Sequence, residues 1–118
     1  MRKKIPTWYA ADTNSGKRDT VIAPFFDIPI ETLTSTARIA ALSKAVVVPT
    51  YFYRRDDNKG YNIVLGAPLE NFPTKDAIAD AHRVNQALEI GIRKMPEQYF
   101  WQYRRFKLPS HLADPYRL

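Results

Sequence analysis

The chain has 118 residues, 45% of them hydrophobic and 25% charged, with a formal net charge of +6. That is one domain or less of globular composition, and its basic excess favours anionic partners such as phosphates, acidic carrier proteins, anionic lipid or nucleic acid. The absence of cysteine excludes a disulfide framework, a Cys-ligated zinc site and thiol catalysis, and no apolar run approaches the roughly 18 residues of a membrane-spanning helix.

The opening MRKKIPTWYAAD carries charge but no apolar h-region, so it is not a signal peptide. Residues 6–11 (PTWYAA) predict a brief buried strand that ends at Asp12. Residues 12–20 (DTNSGKRDT) form a polar loop with the turn-formers Asn14, Ser15 and Gly16. Residues 21–26 (VIAPFF) are a second apolar piece, and Pro24 within it argues for a sheet edge or a strand end. A first helix is predicted over residues 33–43, with Thr32 or Thr34 as its cap. Thr36, Ile39, Ala40 and Ser43 share one of its faces, and Lys44 marks its end.

Residues 45–53 (AVVVPTYFY) are the strongest strand signal. The run is β-branched and aromatic, and its continuous apolar start predicts burial on both faces. A polar turn at 54–60 (RRDDNKG) and a further strand at 61–65 complete an antiparallel hairpin. After a connector at 68–73, Thr74 caps a longer helix that runs to about Met95, with Asp76 at its positive end. Ile78, Ala81, Val84, Asn85, Leu88, Ile92 and Met95 trace its apolar stripe. Pro96 interrupts this helix and opens a short third one over 97–106, leaving 108–118 as a tail. The fold class is α/β, with a partial mixed sheet and flanking helices. The strands are few for a closed core, and a buried strand that opens the chain calls for neighbours on both sides, so residues 1–108 read as an incomplete domain.

Catalytic apparatus is sparse. His82 lies off the apolar stripe and His111 lies in the tail; two histidines without cysteine argue against a transition-metal site. No Gly-x-Ser-x-Gly elbow, Walker loop or dinucleotide fingerprint is present. Asp12 ends a strand ahead of a loop that carries Lys17 and Arg18, where sites gather in open α/β sheets. The same aspartate also suits a turn that bonds its own backbone. Thr32, Thr34, Ser35 and Thr36 place hydroxyls at a helix start, as a cap or as an anion site. In PEQYFWQYRRFK, residues 96–107, five aromatics surround Arg104, Arg105 and Lys107. By itself this stretch reads as a helix that buries its aromatics and exposes its arginines. The alternative is a small basic binding module for nucleic acid, using stacking and phosphate contacts.

Three stretches together resemble the C-terminal part of the bacterial lipid A late acyltransferases, the lauroyl and myristoyl transferases of lipopolysaccharide synthesis. WYAADTNSGKRDTVIAPFF resembles the family's strand, Asp-bearing loop and Val-x-x-Pro-x-Phe segment, through Trp8, Tyr9, Ala10, Asp12, Gly16, Arg18, Val21, Pro24 and Phe26. LTSTARIAALSKAVVVP resembles its Thr-rich helix start and Val-Val-Pro strand, and PEQYFWQYRRFK its closing signature. The chain departs from the family pattern at Asn14, Ser35, Lys44 and Tyr103. The resemblance implies the C-terminal portion of a glycerolipid-acyltransferase-like fold, with no cofactor. The implied reaction moves a fatty acyl group from acyl carrier protein to a lipid A precursor hydroxyl at the cytoplasmic face of the inner membrane. The family's His-x-x-x-x-Asp/Glu motif, in which the histidine is general base and the acid orients it, lies upstream and is not found in this sequence. The resemblance therefore implies no catalytic residue here. It implies a partner in the missing front half, which carries the membrane anchor, and a cytoplasmic location for the chain by itself. Asp12, Arg18, Thr34 and Thr36 would line the acceptor or acyl pocket, and Arg104 and Arg105 would meet lipid A phosphates or the acidic carrier protein.

Overall fold

Two facing prolines organise the first hairpin of the computed structural model, which describes residues 4–13, 19–106 and Tyr116. Strand β1 (Thr20–Phe25) pairs antiparallel with β2 (Ile28–Leu33), and Pro24 stands opposite Pro29. Neither proline offers an N–H, so the pair fits a two-stranded sheet in which both strands are edges. The link is a two-residue turn with Phe26 and Asp27 both at positive φ, 49° and 61°, the geometry that suits strand twist but usually recruits Asn-Gly. Tertiary contacts hold it: the Phe26 N–H donates to Glu89 Oε1 at 2.6 Å, and the Arg93 guanidinium lies 4.8 Å from the Phe26 ring.

Helix α1 (Ser35–Ser43) follows directly. Thr34 occupies its N-cap position, but its hydroxyl donates to the Asp19 carbonyl at 2.9 Å instead of accepting a helix N–H. Lys44 ends the helix in the left-handed region, at φ 53°, with its N–H on the Ala40 carbonyl. Strands β3 (Thr50–Arg54) and β4 (Tyr61–Leu65) form the second antiparallel hairpin, as the sequence predicts. Helix α2 (Ala77–Lys94) is capped by Asp76, whose carboxylate accepts from the N–H groups of Ile78 and Ala79. The expected cap, Thr74, instead donates its N–H and hydroxyl to the buried Asp80 carboxylate.

The core lies where α2 crosses the first hairpin. Ala23, Phe25, Ile30, Ala81 and Val84 are buried there. Asn85 is fully buried among them, and its Nδ2 donates to the Pro24 carbonyl at 3.0 Å and to Thr32 Oγ1 at 2.9 Å. The second hairpin leans on the same helix through two phenols: Tyr51 donates to the Ala87 carbonyl at 2.7 Å, and Tyr53 to that of Gly91 at 2.8 Å. Burial pushes both phenols above the ordinary tyrosine range.

Several expectations change. The described residues hold two separate two-stranded antiparallel sheets, not a mixed sheet. Strand β2 takes residues 28–32, for which no element is predicted, and Leu33, which is predicted to begin the first helix. Residues 6–11 and 45–49 form no strand, and Trp8 and Val46 are more than two-thirds exposed. A segment becomes a strand only by continuous pairing. Among the described residues 6–11 have no partner strand, and 45–49 accept only two bonds from backbone N–H groups, at Val47 from Leu69 and at Pro49 from Gly66. Ile78, placed on the apolar stripe of α2, is exposed. After Pro96 only a single 3-10 turn forms (Pro96–Gln98), not a helix to residue 106. There the Pro96 carbonyl is taken by the Tyr99 N–H and the Trp101 Nε1–H. The turn-formers Asn14 to Gly16, His111 and most of the tail lie outside the described residues.

The molecule is a slab, 50 × 43 × 20 Å. Its thin dimension is that of one helix layer on one sheet layer. The radius of gyration of 15.5 Å exceeds the roughly 13.5 Å of a compact domain of this length. The outer face of the second hairpin, with Phe52, Ile63 and Leu65, is correspondingly exposed.

Candidate functional site

The site grows from the tip of the first hairpin. Phe25 is buried, and the closing stretch wraps it: the Phe106 ring lies 5.6 Å away and the Tyr99 ring 6.5 Å away. Trp101 packs against Tyr99 at 4.7 Å and Phe26 at 6.4 Å. The expected helix is absent and the expected burial is only partial: Tyr99, Tyr103 and Phe106 are half-buried, whereas Phe100 and Trp101 stay exposed.

Its arginines part company. Arg104 is exposed, with its guanidinium 5.7 Å from the Tyr116 ring. Arg105 is fully buried. Its Nη1 donates to the Glu31 carbonyl of β2, and its guanidinium sits 5.6 Å over Phe25. The reading that both arginines are exposed is therefore corrected for Arg105. A guanidinium spreads its charge and is weakly hydrated, so it tolerates this position better than an ammonium would. Burial lowers the Arg105 pKa; Tyr99, Tyr103, Asp12 and Glu31 oppose that shift. Burial raises the Tyr99 pKa, Arg105 lowers it, and Asp12 raises it further. Asp12, Tyr99, Tyr103 and Arg105 therefore share one electrostatic neighbourhood, assembled from the two ends of the sequence.

The remaining expected residues gather at the start of α1. Thr34 is committed to Asp19, and Asp19 pairs with Arg38 at 2.6 Å. Thr36 is buried in the first turn, and among the described residues its Oγ1 has no hydrogen-bond partner. Tyr9 Oη lies 2.5 Å from Ser35 Oγ, which ties the Asp12-bearing segment to the helix start. Arg18 lies outside the described residues. Tyr99, Tyr103 and the Glu31 carbonyl were not foreseen as members. The PEQY signature hinted at Tyr99, whereas a backbone carbonyl leaves no trace in sequence. Among the described residues no group of His, Cys, Asp and Glu side chains is arranged to hold a metal, and no helix is long and apolar enough to cross a membrane.

Asp12, a buried cation and hydroxyls at a helix start are the polar features of this α/β chain, and comparison with known proteins places the chain among the bacterial lipid A acyltransferases. Residues 1–108 match the bacterial lipid A biosynthesis acyltransferase family. The chain belongs to that family and corresponds to its C-terminal portion. It is similar to the lipid A biosynthesis lauroyltransferase of Escherichia coli K12 (37% identical over 91% of this chain and 35% of the relative). It is also similar to the palmitoleoyltransferase of the same organism (32%, with the same coverage) and to a lipid A biosynthesis acyltransferase of Haemophilus influenzae (34%, over 91% of this chain and 35% of the relative). The chain spans about a third of the length of these curated relatives.

Proposed function

We propose that this chain is the C-terminal part of an acyltransferase domain of glycerolipid-acyltransferase type, which completes the substrate pocket of a lipid A acyltransferase. The observation that carries the reading is the family match along residues 1–108, at about a third of the relatives' length. In the joined enzyme a fatty acyl group passes from acyl carrier protein to a hydroxyl of a lipid A precursor at the cytoplasmic face of the inner membrane. An upstream His-x-x-x-x-Asp/Glu motif supplies the base for that hydroxyl and the acid that orients the base. This chain supplies binding. Asp12, Thr34, Thr36 and Arg18 face the acceptor or acyl chain, and exposed Arg104 meets phosphate or an acidic carrier surface. Arg105, buried over Phe25, holds the closing stretch on β2 through the Glu31 carbonyl.

The test is acyl transfer by the 118-residue chain alone, and by the same chain joined to the upstream two-thirds of the lauroyltransferase relative. The isolated chain is expected to give no turnover, and the joined protein to transfer acyl groups from acyl carrier protein. In the joined protein, Asp12→Ala reduces kcat/KM, and Arg104→Ala raises KM in a salt-sensitive way, since screening weakens exposed charge pairs. Robust turnover by the isolated chain, or a folded joined protein without transfer, overturns the reading.

A further inference from the structure

The groove between residues 8–12 and β3 has the walls of a missing strand. It is an open cleft of about 280 Å³, floored by Leu88 and Ile92 of α2 and by Met95 just after it. One wall is the irregular segment 8–12, and among the described residues the backbone of 8–11 makes no hydrogen bond. The other wall is the edge of β3 that faces away from β4. The side of each β3 residue follows from its neighbours. The Gly66 N–H donates to the Pro49 carbonyl and the Arg55 N–H to that of Gly60, so odd-numbered residues point toward β4. Peptide groups alternate along a strand, so Thr50, Phe52 and Arg54 point into the groove.

At Arg54 the outward edge is already paired. The Arg54 N–H donates to Gln98 Oε1 at 2.8 Å, and Gln98 Nε2 donates back to the Arg54 carbonyl at 3.0 Å. A carboxamide that gives and takes one hydrogen bond with a single residue reproduces what a neighbouring strand does at that position. The Gln98 side chain thus ends a row of strand-pairing groups that, among the described residues, stays open at the backbone of Phe52 and Thr50.

We propose that this groove is a strand-acceptor site, filled by an extended segment of the family's upstream portion. The occupant pairs through its main chain with Thr50 and Phe52 and lays alternate apolar side chains on α2, as strand addition requires. The source is argued from length. Both walls lie within the matched residues 1–108, and the relatives carry about two-thirds of their length beyond the matched part. The aromatic and aliphatic floor calls for apolar side chains facing α2. The inference rests on family membership and not on acyl transfer.

The full 118-residue chain is titrated with overlapping peptides of about ten residues, the upper range of a strand, that tile the uncovered part of the lauroyltransferase relative. Amide hydrogen exchange is read at Thr50 and Phe52, with Tyr51 and Tyr53 as internal references already in the β3–β4 ladder. One peptide is expected to slow exchange at both outward amides by about tenfold or more, equivalent to ~1.4 kcal/mol, and to leave Tyr51 and Tyr53 unchanged. Phe52→Pro, which removes an N–H that β4 does not use, abolishes that protection. Protection of Thr50 and Phe52 by no peptide overturns the proposal. So does protection that grows with chain concentration alone, which assigns the groove to a second copy. Where Phe52→Pro fails to fold, the exchange pattern of the wild-type chain decides alone.

Discussion

Gly91 offers a sharp stability test, because two ordinary rules give opposite signs. In an exposed helix interior Gly→Ala gains about 1 kcal/mol. Gly91 is buried in α2, and a Cβ built there would lie 2.2 Å from Tyr51 Cδ1 and 2.4 Å from Cε1. The Tyr51 ring must then swing away, and its 2.7 Å hydrogen bond to the Ala87 carbonyl breaks. Overpacking costs roughly 1–3 kcal/mol and the lost bond about 1 kcal/mol more. Gly91→Ala is therefore expected to destabilise the chain by about 1–3 kcal/mol net of the helix gain. The assay is urea unfolding of the full chain, followed by far-UV circular dichroism. With Tyr51 first cut to alanine, the clash is gone and the same glycine substitution should stabilise, by up to ~1 kcal/mol. A Gly91→Ala chain more stable than wild type with Tyr51 intact refutes the close-approach argument, as does a double variant without the change of sign.

Two further predictions follow from the core and from the phenols. Asn85→Ala removes both Nδ2 bonds and leaves the Pro24 carbonyl and the Thr32 hydroxyl without that donor; a loss of roughly 2–4 kcal/mol is expected in the same unfolding assay, and a change below ~0.5 kcal/mol would show that the amide does not tie α2 to the hairpin. Burial raises the Tyr99 pKa above its ordinary 10.0, and the Tyr51 and Tyr53 values rise for the same reason. Between the unfolded and folded pKa values the folded chain binds more protons, so this stability is complete below about pH 10 and falls as pH rises through the folded values. Tyr99→Phe should make the alkaline decline shallower, and an unchanged slope would separate Tyr99 from it.

What could be read in the sequence followed local rules. The β3–β4 hairpin announced itself through a β-branched and aromatic run and a polar turn, and α2 through its stripe. The first hairpin was hidden because its turn is Phe26-Asp27, which carries no Asn-Gly signal; the Glu89 and Arg93 contacts that hold it come from α2. Residues 96–106 misled because a proline start and interleaved arginines fit a helix, whereas the aromatics are drawn individually onto Phe25 and Phe26.

The candidate site divides in the same way. The sequence by itself determined the family, through short signatures whose residue types and spacing are local, and it named Asp12, the threonines and the arginine pair. Only the tertiary structure decided that Arg105 is buried and Arg104 is not, because a charged residue is exposed by default until a specific carbonyl and ring enclose it. It also decided that residues 6–11 and 45–49, strand-like in composition, stay outside any sheet among the described residues. Strand propensity belongs to a segment, but a strand exists only where a second segment supplies the other half of each hydrogen bond.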